Sequence, residues 1–276
     1  MNNQNNLAEI GKDFSNFNLP VIIDGSDFTS EELADEMDGL HLNFQRVKIP
    51  AGGSLQFELP GDDPENPEYA RTLEGVIIYN HAANAFWAEG NEEDENETPL
   101  CSAVDGKLGC GEPGGDCITC ALNKFGSGEN GKGKACKNTR VLYLLCDGEF
   151  MPMQITLPPT SIKPFNDFYN IAFATRRRGI CGSVVSIGLK RVDNGSNTYS
   201  IATFKKLYDF SGEKLSQSKA YSESFKAQIK TLNQMRAAAG NRSYDGYEEG
   251  SHIYSENGKF DISSDTIDGE REDLPA

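Results

Sequence analysis

Residues 141–157 read Val-Leu-Tyr-Leu-Leu-Cys-Asp-Gly-Glu-Phe-Met-Pro-Met-Gln-Ile-Thr-Leu. Val141 to Cys146 and Met151 to Leu157 predict two strands, and Asp147-Gly148 between them is a hairpin-turn signal. Downstream, Phe165, Phe168, Tyr169, Ala172 and Phe173 fall at i, i+3, i+4, i+7 and i+8. That spacing predicts an amphipathic helix running from Pro164 and stopping by Gly179. Val185, Ile187 and Leu189 then alternate, Asp193-Asn194-Gly195 turns the chain, and Tyr199 to Lys206 returns as a second hairpin. Tyr221, Phe225, Ile229, Leu232 and Met235 make a second helical stripe to about Ala239. Upstream, Val47 and Ile49 alternate with Phe44, Arg46 and Lys48, and Leu55, Phe57 and Leu59 repeat every second residue. Leu73 to Tyr79 reads as a further strand, followed by Ala85-Phe86-Trp87. Six to eight short strands, with no repeated βαβ unit, predict a β-rich α+β fold built on a small, mostly antiparallel barrel.

Between the two halves of that barrel, residues 44–98 and 141–240, lies a segment of different character. Residues 99–140 hold five of the seven cysteines, are rich in glycine and carry too little apolar surface to fold on burial alone. The cysteines are Cys101, Cys110, Cys117, Cys120, Cys136, Cys146 and Cys181. A C-x2-C knuckle at Cys117 and Cys120, in a chain expected to meet a reducing compartment, points to a metal rather than to disulfides. Cys101, Cys117, Cys120 and Cys136 form the best-balanced tetrad, because the knuckle then has one partner at equal reach on each side. Four thiolates would saturate Zn2+, giving a structural site without an open position for chemistry. Cys110 and His81 remain alternative ligands. Cys146 and Cys181 read as core thiols. The run from Gly126 to Gly133 approaches a phosphate-binding loop, but Gly133 stands where a magnesium-binding hydroxyl belongs and no apolar strand precedes it. It reads as a flexible, lysine-bearing loop.

The chain has 276 residues and a formal charge of -16, unevenly spread. Residues 1–43 carry 1 basic and 9 acidic groups, residues 44–98 carry 3 and 12, and residues 241–276 carry 3 and 10. Residues 99–150 balance at 6 and 6, while residues 151–240 hold 13 basic groups against 5 acidic. A neutral-to-basic centre therefore sits between acidic flanks, which the overall charge conceals. A short helix is expected at Ser30 to Met37, a mobile acidic loop at Glu89 to Glu97, and a disordered acidic tail over 241–276. No apolar run is long enough to span a membrane. The opening Met-Asn-Asn-Gln-Asn-Asn lacks the features of an export signal, so a cytoplasmic location is expected.

Within the basic centre, Arg176, Arg177 and Arg178 follow the first helix, Lys190 and Arg191 end one strand, and Lys205 lies on the next. Arg46 and Lys48 add charge from the first strand, and Trp87 and Tyr143 supply rings. Cations that track phosphates, interleaved with rings that stack bases, are what a groove for single strands requires. These ten residues are the candidate nucleic-acid contacts.

Pro99-Leu100-Cys101-Ser102, Gly115-Asp116-Cys117-Ile118-Thr119-Cys120, Gly131-Lys132-Gly133-Lys134-Ala135-Cys136-Lys137 and Leu157-Pro158-Pro159-Thr160-Ser161 together resemble the single-stranded DNA-binding proteins of tailed bacteriophages. The resemblance spans roughly Phe44 to Leu207. It implies an OB-like antiparallel barrel with an inserted, zinc-ribbon-like module held by Cys101, Cys117, Cys120 and Cys136. It also implies a groove that coats single-stranded DNA in replication or recombination, an acidic tail that recruits partner proteins, and residence in the host cytoplasm. The competing expectation is a zinc-dependent module that docks another protein and does not touch nucleic acid. With only His41, His81 and His252 in the chain, none beside another catalytic group, no enzyme is expected.

Overall fold

The computed structural model describes residues 13–20, 44–59, 61, 66–87, 99–195 and 197–238. The helix expected at Ser30 to Met37, the acidic loop at Glu89 to Glu97 and the acidic tail lie outside these residues. In chain order the strands are β1 (Arg46–Lys48), β2 (Phe57–Leu59), β3 (Glu68–Ala70), β4 (Thr72–Phe86), β5 (Cys101–Ala103), β6 (Leu108–Gly111), β7 (Gly115–Asp116), β8 (Lys137–Leu145) and β9 (Met153–Leu157). Helix α1 (Pro159–Ala172) follows, then β10 (Ser183–Asp193), β11 (Thr198–Asp209) and helix α2 (Gly212–Ala238). The fold is β-rich α+β.

β4 organises the sheet. Along one edge it pairs antiparallel with β8 from Val76↔Leu145 to Ala85↔Lys137. Its first residues also pair with β10, and its last three with β5. The sequence suggested a strand at Leu73 to Tyr79 and a separate apolar triplet. The chain instead stays extended through Asn80-His81-Ala82-Ala83-Asn84, because pairing with β8 along its length outweighs weak local preference. A bulge between Ile77 and Tyr79 puts Ile78 and Tyr79 on one face, where both pack in the same cluster.

That sheet separates two apolar clusters. Val47, Leu73, Ile77, Leu142, Leu144, Ile155, Leu157, Val185, Ile187 and Ala202 meet on one side with Phe57 and the α1 residue Phe165. Val76, Ile78, Val141, Tyr143, Leu145 and Val184 face the other side, under Phe225 and Ile229 of α2 and beside Phe17 and Leu19. The N-terminal segment is thus more than an acidic flank, since two of its residues join the core. β1, β4, β8, β9, β10 and β11 all send side chains into the first cluster, so the sheet wraps around it. Among the described residues, however, no ladder joins β1 to β11. β1 is three residues long and pairs in parallel with β9, and β2 and β3 form a two-stranded sheet of their own. The sheet is mixed where an antiparallel barrel was expected, because β1 pairs in parallel, and among the described residues no ladder closes it into a barrel.

Local chemistry explains where the elements begin and end. β8 and β9 pair from Arg140↔Leu157 to Leu144↔Met153, so the Asp147-Gly148 turn opens a longer connection and not a two-residue hairpin. Gly148 supplies the positive φ there, at 77°. α1 begins at Pro159, whose missing N–H is harmless in the first turn, and Pro164 lies inside the helix. Pro164 therefore forfeits the bond that its N–H would donate to the Thr160 carbonyl. The β10–β11 hairpin closes from Asp193↔Thr198. The Asp193 carboxylate accepts from the Gly195 N–H at 2.7 Å and from the Thr198 hydroxyl at 3.1 Å.

α2 is fixed by hydrogen bonds as well as by burial. The Ser222 hydroxyl donates to the Ile78 carbonyl at 2.6 Å, the Tyr221 hydroxyl to the Phe150 carbonyl at 2.9 Å, and the Ser218 hydroxyl to the Cys181 carbonyl. Phe225 stands edge-on to Tyr143 at 5.0 Å and to Phe44 at 5.8 Å. Phe225→Ala should therefore destabilise the protein by about 3–5 kcal/mol, the usual range for a buried phenylalanine truncated in a core. Urea unfolding followed by far-UV circular dichroism checks this, and a loss under about 1 kcal/mol would mean that α2 is not part of the cooperative core.

Candidate metal centre and nucleic-acid interface

The cysteine segment enters the fold as an insertion between β4 and β8, which are adjacent antiparallel strands. β5 continues the edge of β4 with Ala85↔Ser102, β6 pairs with β5, and β7 pairs with β6. Cys101 starts β5, Cys117 and Cys120 flank the turn after β7, and Cys136 immediately precedes β8. All four line a single cavity together with Asn84, Gly109, Leu122 and Asn123. That cavity, of about 10 Å3, has room for one ion and for no organic cofactor. Cys110 does not line it.

The cavity suits sulfur anions that share a cation. Burial pushes the Cys101, Cys117 and Cys136 thiols up, Cys136 to about 11, and each is raised further by the other cysteines of the group. Without a cation the thiol form is favoured at neutral pH. The Cys101 sulfur accepts a hydrogen bond from the Gly114 backbone, and the Cys117 sulfur one from Asn84; such donors stabilise the anionic form and orient ligands. Gly109 keeps the space beside Cys101 open, since a Cβ there would lie 2.9 Å from the Cys101 sulfur. The donor set and the cavity fit Zn2+. Among the described residues, no three thiol, imidazole or carboxylate groups have closed to the spacing of a finished metal shell.

Three asparagines, which sequence reasoning did not single out, join this module to the sheet. Asn138 on β8 donates to the side-chain oxygens of Asn84 on β4 at 2.6 Å and of Asn123 at 2.9 Å. Asn123 in turn donates to the Cys117 carbonyl at 2.7 Å, and Asn84 to the Gly106 carbonyl at 3.1 Å. The Lys134 ammonium bonds the oxygens of Asn123 and Asn138. Asn84 is 6% exposed, so its amide needs these partners. Their only sequence signal is an unusual polarity at the ends of two strands.

The glycine-rich run from Gly126 to Gly133 closes on itself through hydrogen bonds. The Gly126 N–H donates to the Gly133 carbonyl at 2.6 Å, the Ser127 N–H to the Lys124 carbonyl, and the Gly131 N–H to the Gly128 carbonyl. The Ser127 hydroxyl reaches the Leu122 carbonyl at 2.8 Å and accepts from the Ala135 N–H at 3.1 Å. The N–H groups of Gly126, Ser127 and Gly131 are thus bonded within the module.

The ten candidate nucleic-acid contacts divide. Arg46 and Lys48 are exposed on either side of buried Val47 on β1. Lys190, Arg191 and Lys205 are exposed on the β10–β11 hairpin, and Arg176 and Arg177 in the turn after α1. The β1–β2 connection reaches that hairpin, since the Ser200 hydroxyl donates to the Ser54 carbonyl at 2.7 Å. Trp87 is half-buried where β4 gives way to the cysteine segment. Among the described residues, no contact joins these groups into one continuous stripe.

Two of the ten are held in the structure's interior contacts. Tyr143 is 4% exposed, stacked on Tyr79 at 6.1 Å and covered by Phe225. It is a core ring and not an exposed platform, because α2 lies over the face on which it alternates. His81, near the middle of β4 and not at a strand end, packs beside both Tyr79 and Tyr143, and burial holds its imidazole below the ordinary value. Arg178 turns inward where Arg176 and Arg177 turn outward, after Arg177 adopts a positive φ of 51°. Its guanidinium approaches Asp209 at 3.4 Å and donates to the Phe210 carbonyl at 2.5 Å. Arg178 is therefore a structural clamp. A further cation, Arg140, lies half-buried over the Phe165 ring at 5.6 Å and donates to Asn80, tying β8 to β4 and α1.

Asp209 gathers Arg178, the Lys206 ammonium at 2.7 Å and the Ser183 hydroxyl at 2.5 Å. Burial alone would raise its pKa, but the bonds from Lys206 and Ser183 and the charge of Arg178 outweigh that and hold it below the ordinary 3.8. A depressed carboxylate contributes stability that is present above the ordinary value and lost as pH falls through the folded one. Asp209→Asn should thus lower stability by about 1 kcal/mol at pH 7, a magnitude discounted for a partly exposed group. The deficit should hold down to about pH 5 and shrink as the pH falls further in urea titrations; a deficit independent of pH would remove the ionic explanation. Comparison of the chain with protein-family models, with curated proteins and with solved structures finds no match.

Proposed function

We propose that this protein is a non-catalytic single-stranded DNA-binding protein that protects DNA during replication or recombination. In this reading the wrapped sheet is an OB-type platform. The cysteine module is held by structural Zn2+, and the acidic residues 241–276 recruit replication or recombination proteins. The resemblance of the cysteine segment and of Leu157 to Ser161 to the phage proteins named above supports it.

One observation carries the proposal. The described residues hold 22 cations and 15 carboxylates, so ion pairs could form at many of these cations. Yet among the described residues Arg46, Arg176, Arg177, Lys190, Arg191 and Lys205 make no ion pair; the pairs formed are Lys163–Asp167, Arg178–Asp209 and Lys206–Asp209. Exposed cations that form no ion pair among the described residues, on β1, in the turn after α1 and on the β10–β11 hairpin, are suited to a polyanion that brings its own charge.

Cys101, Cys117, Cys120 and Cys136 would hold the zinc, which supplies a four-way cross-link in place of an apolar core for the module. Gly114 and Asn84 orient two of the sulfurs. The ion would take no part in nucleic-acid chemistry.

Titration of purified protein with fluorescent oligo-dT should show affinity that falls steeply with salt, with a slope of log K against log salt of about -0.7 per phosphate contacted. Replacing Lys190, Arg191 and Lys205 by glutamine together should flatten that slope by about 2. Binding that ignores salt would overturn the proposal. Elemental analysis should find one zinc per chain, and Cys117→Ser should lose it and lower the melting temperature together. Zinc content unchanged in that variant would reject the tetrad.

A further inference from the structure

Phe125 is 84% exposed, yet it does not sit on a loose loop. Residues on both sides of it are fastened. Asn123 bonds Cys117 and Asn138, the Gly126 N–H bonds the Gly133 carbonyl, and the Ser127 hydroxyl bonds Leu122 and Lys124. The Gly126–Gly133 bond lays Lys124-Phe125-Gly126 beside Lys132-Gly133-Lys134. The exposed ring thus stands on a segment that carries Lys124 and is hydrogen-bonded to one that carries Lys132 and Lys134. From Ala121 to Arg140 the chain has five cations and one carboxylate, Glu129. Lys134 is engaged with Asn123 and Asn138, while among the described residues Lys124 and Lys132 form no ion pair.

Ile118 makes the contrast within the same module. It is also highly exposed, at 83%, but its N–H is capped by the Asp116 carboxylate at 2.9 Å, which sets a negative charge beside it. A phosphate backbone would be repelled there and attracted at Phe125. An open ring on a fastened segment that carries cations presents a flat π-face to a base and ammonium groups to the adjoining phosphates.

We infer that Phe125 is a base-stacking residue for single-stranded nucleic acid, with Lys124 and Lys132 on the flanking phosphates, so that the cysteine module itself holds part of the strand. This rests on the DNA-binding proposal above and adds to it a contact outside the β1 and β10–β11 cations. It also gives the module's ordering a purpose in recognition, since a ring on an already fastened segment loses less freedom on binding.

The test is oligo-dT binding by the full chain, read by fluorescence anisotropy over a salt series, for wild type, Phe125→Ala, Phe125→Trp and the double variant Lys124→Gln with Lys132→Gln. Phe125→Ala should weaken binding by about fivefold to a hundredfold, the range for one stacked base, and leave the salt slope unchanged. The lysine double variant should flatten the slope by about 1.4, as two lost phosphate contacts require. Phe125→Trp should retain affinity, and its added indole emission, relative to wild type, should be quenched by the oligonucleotide. Because the side chain is exposed, none of these changes should lower the melting temperature. Wild type that binds dT while Phe125→Ala binds equally well overturns this inference and leaves the DNA-binding proposal standing. Wild type that binds no oligonucleotide overturns both. A Phe125→Trp emission that responds to a synthetic peptide of residues 241–276 but not to dT would assign the ring to the chain's own acidic segment, and would also overturn it.

Discussion

Almost every contact that matters in this molecule passes through β4. One strand of fifteen residues is hydrogen-bonded along its length to β8, at its start to β10 and at its end to β5. Its inward side chains fill the cluster under α1, and its outward ones fill the cluster under α2. The bulge at Ile77–Tyr79 changes which residues face outward, so Tyr79 and His81 join Tyr143. A strand buried on both faces must satisfy its backbone through neighbours. The ladders with β8, β10 and β5 do so, and the cysteine module is the continuation of that requirement beyond Asn84.

The module and the sheet also divide their labour by chemistry. The sheet is held by apolar burial, with Arg140 and Asp209 as its half-buried polar ties. The module has little apolar surface and relies on thiols around a small cavity and on amide-to-amide bonds among Asn84, Asn123 and Asn138. Neutral amides bridge the two without adding charge beside the cysteines, where a further carboxylate would raise the thiols and a further buried cation would need a partner.

How far the sequence reveals this depends on how local each determinant is. Alternation at Val185, Ile187 and Leu189 with an Asp-Asn-Gly turn is local chemistry, and the β10–β11 hairpin follows it. The stripe from Tyr221 to Met235 likewise marks α2. The length of β4 is not local, because Asn80 to Asn84 are extended only by virtue of their partners. Alternation also tells which side of β8 Tyr143 occupies, but not that a helix far downstream covers that side. Three consecutive arginines look alike in sequence, and the positive φ of Arg177 alone separates the inward Arg178 from the outward pair. The cysteines that share the cavity are legible by spacing, whereas the asparagines that support them carry no pattern. Closure of a barrel depends on a pairing of distant edges, and among the described residues the short β1 makes none with β11.

The placement of the module between paired strands bears on how the chain reaches its native state. Ala85 must find Lys137, and closing a loop of about fifty residues carries an entropy penalty of about 3.5 kcal/mol beyond its constant part. A module that orders first brings its two ends together and removes most of that search. Ordering the cysteine segment would thus favour the pairing of β4 with β8, and through β4 the placing of β10 and β5.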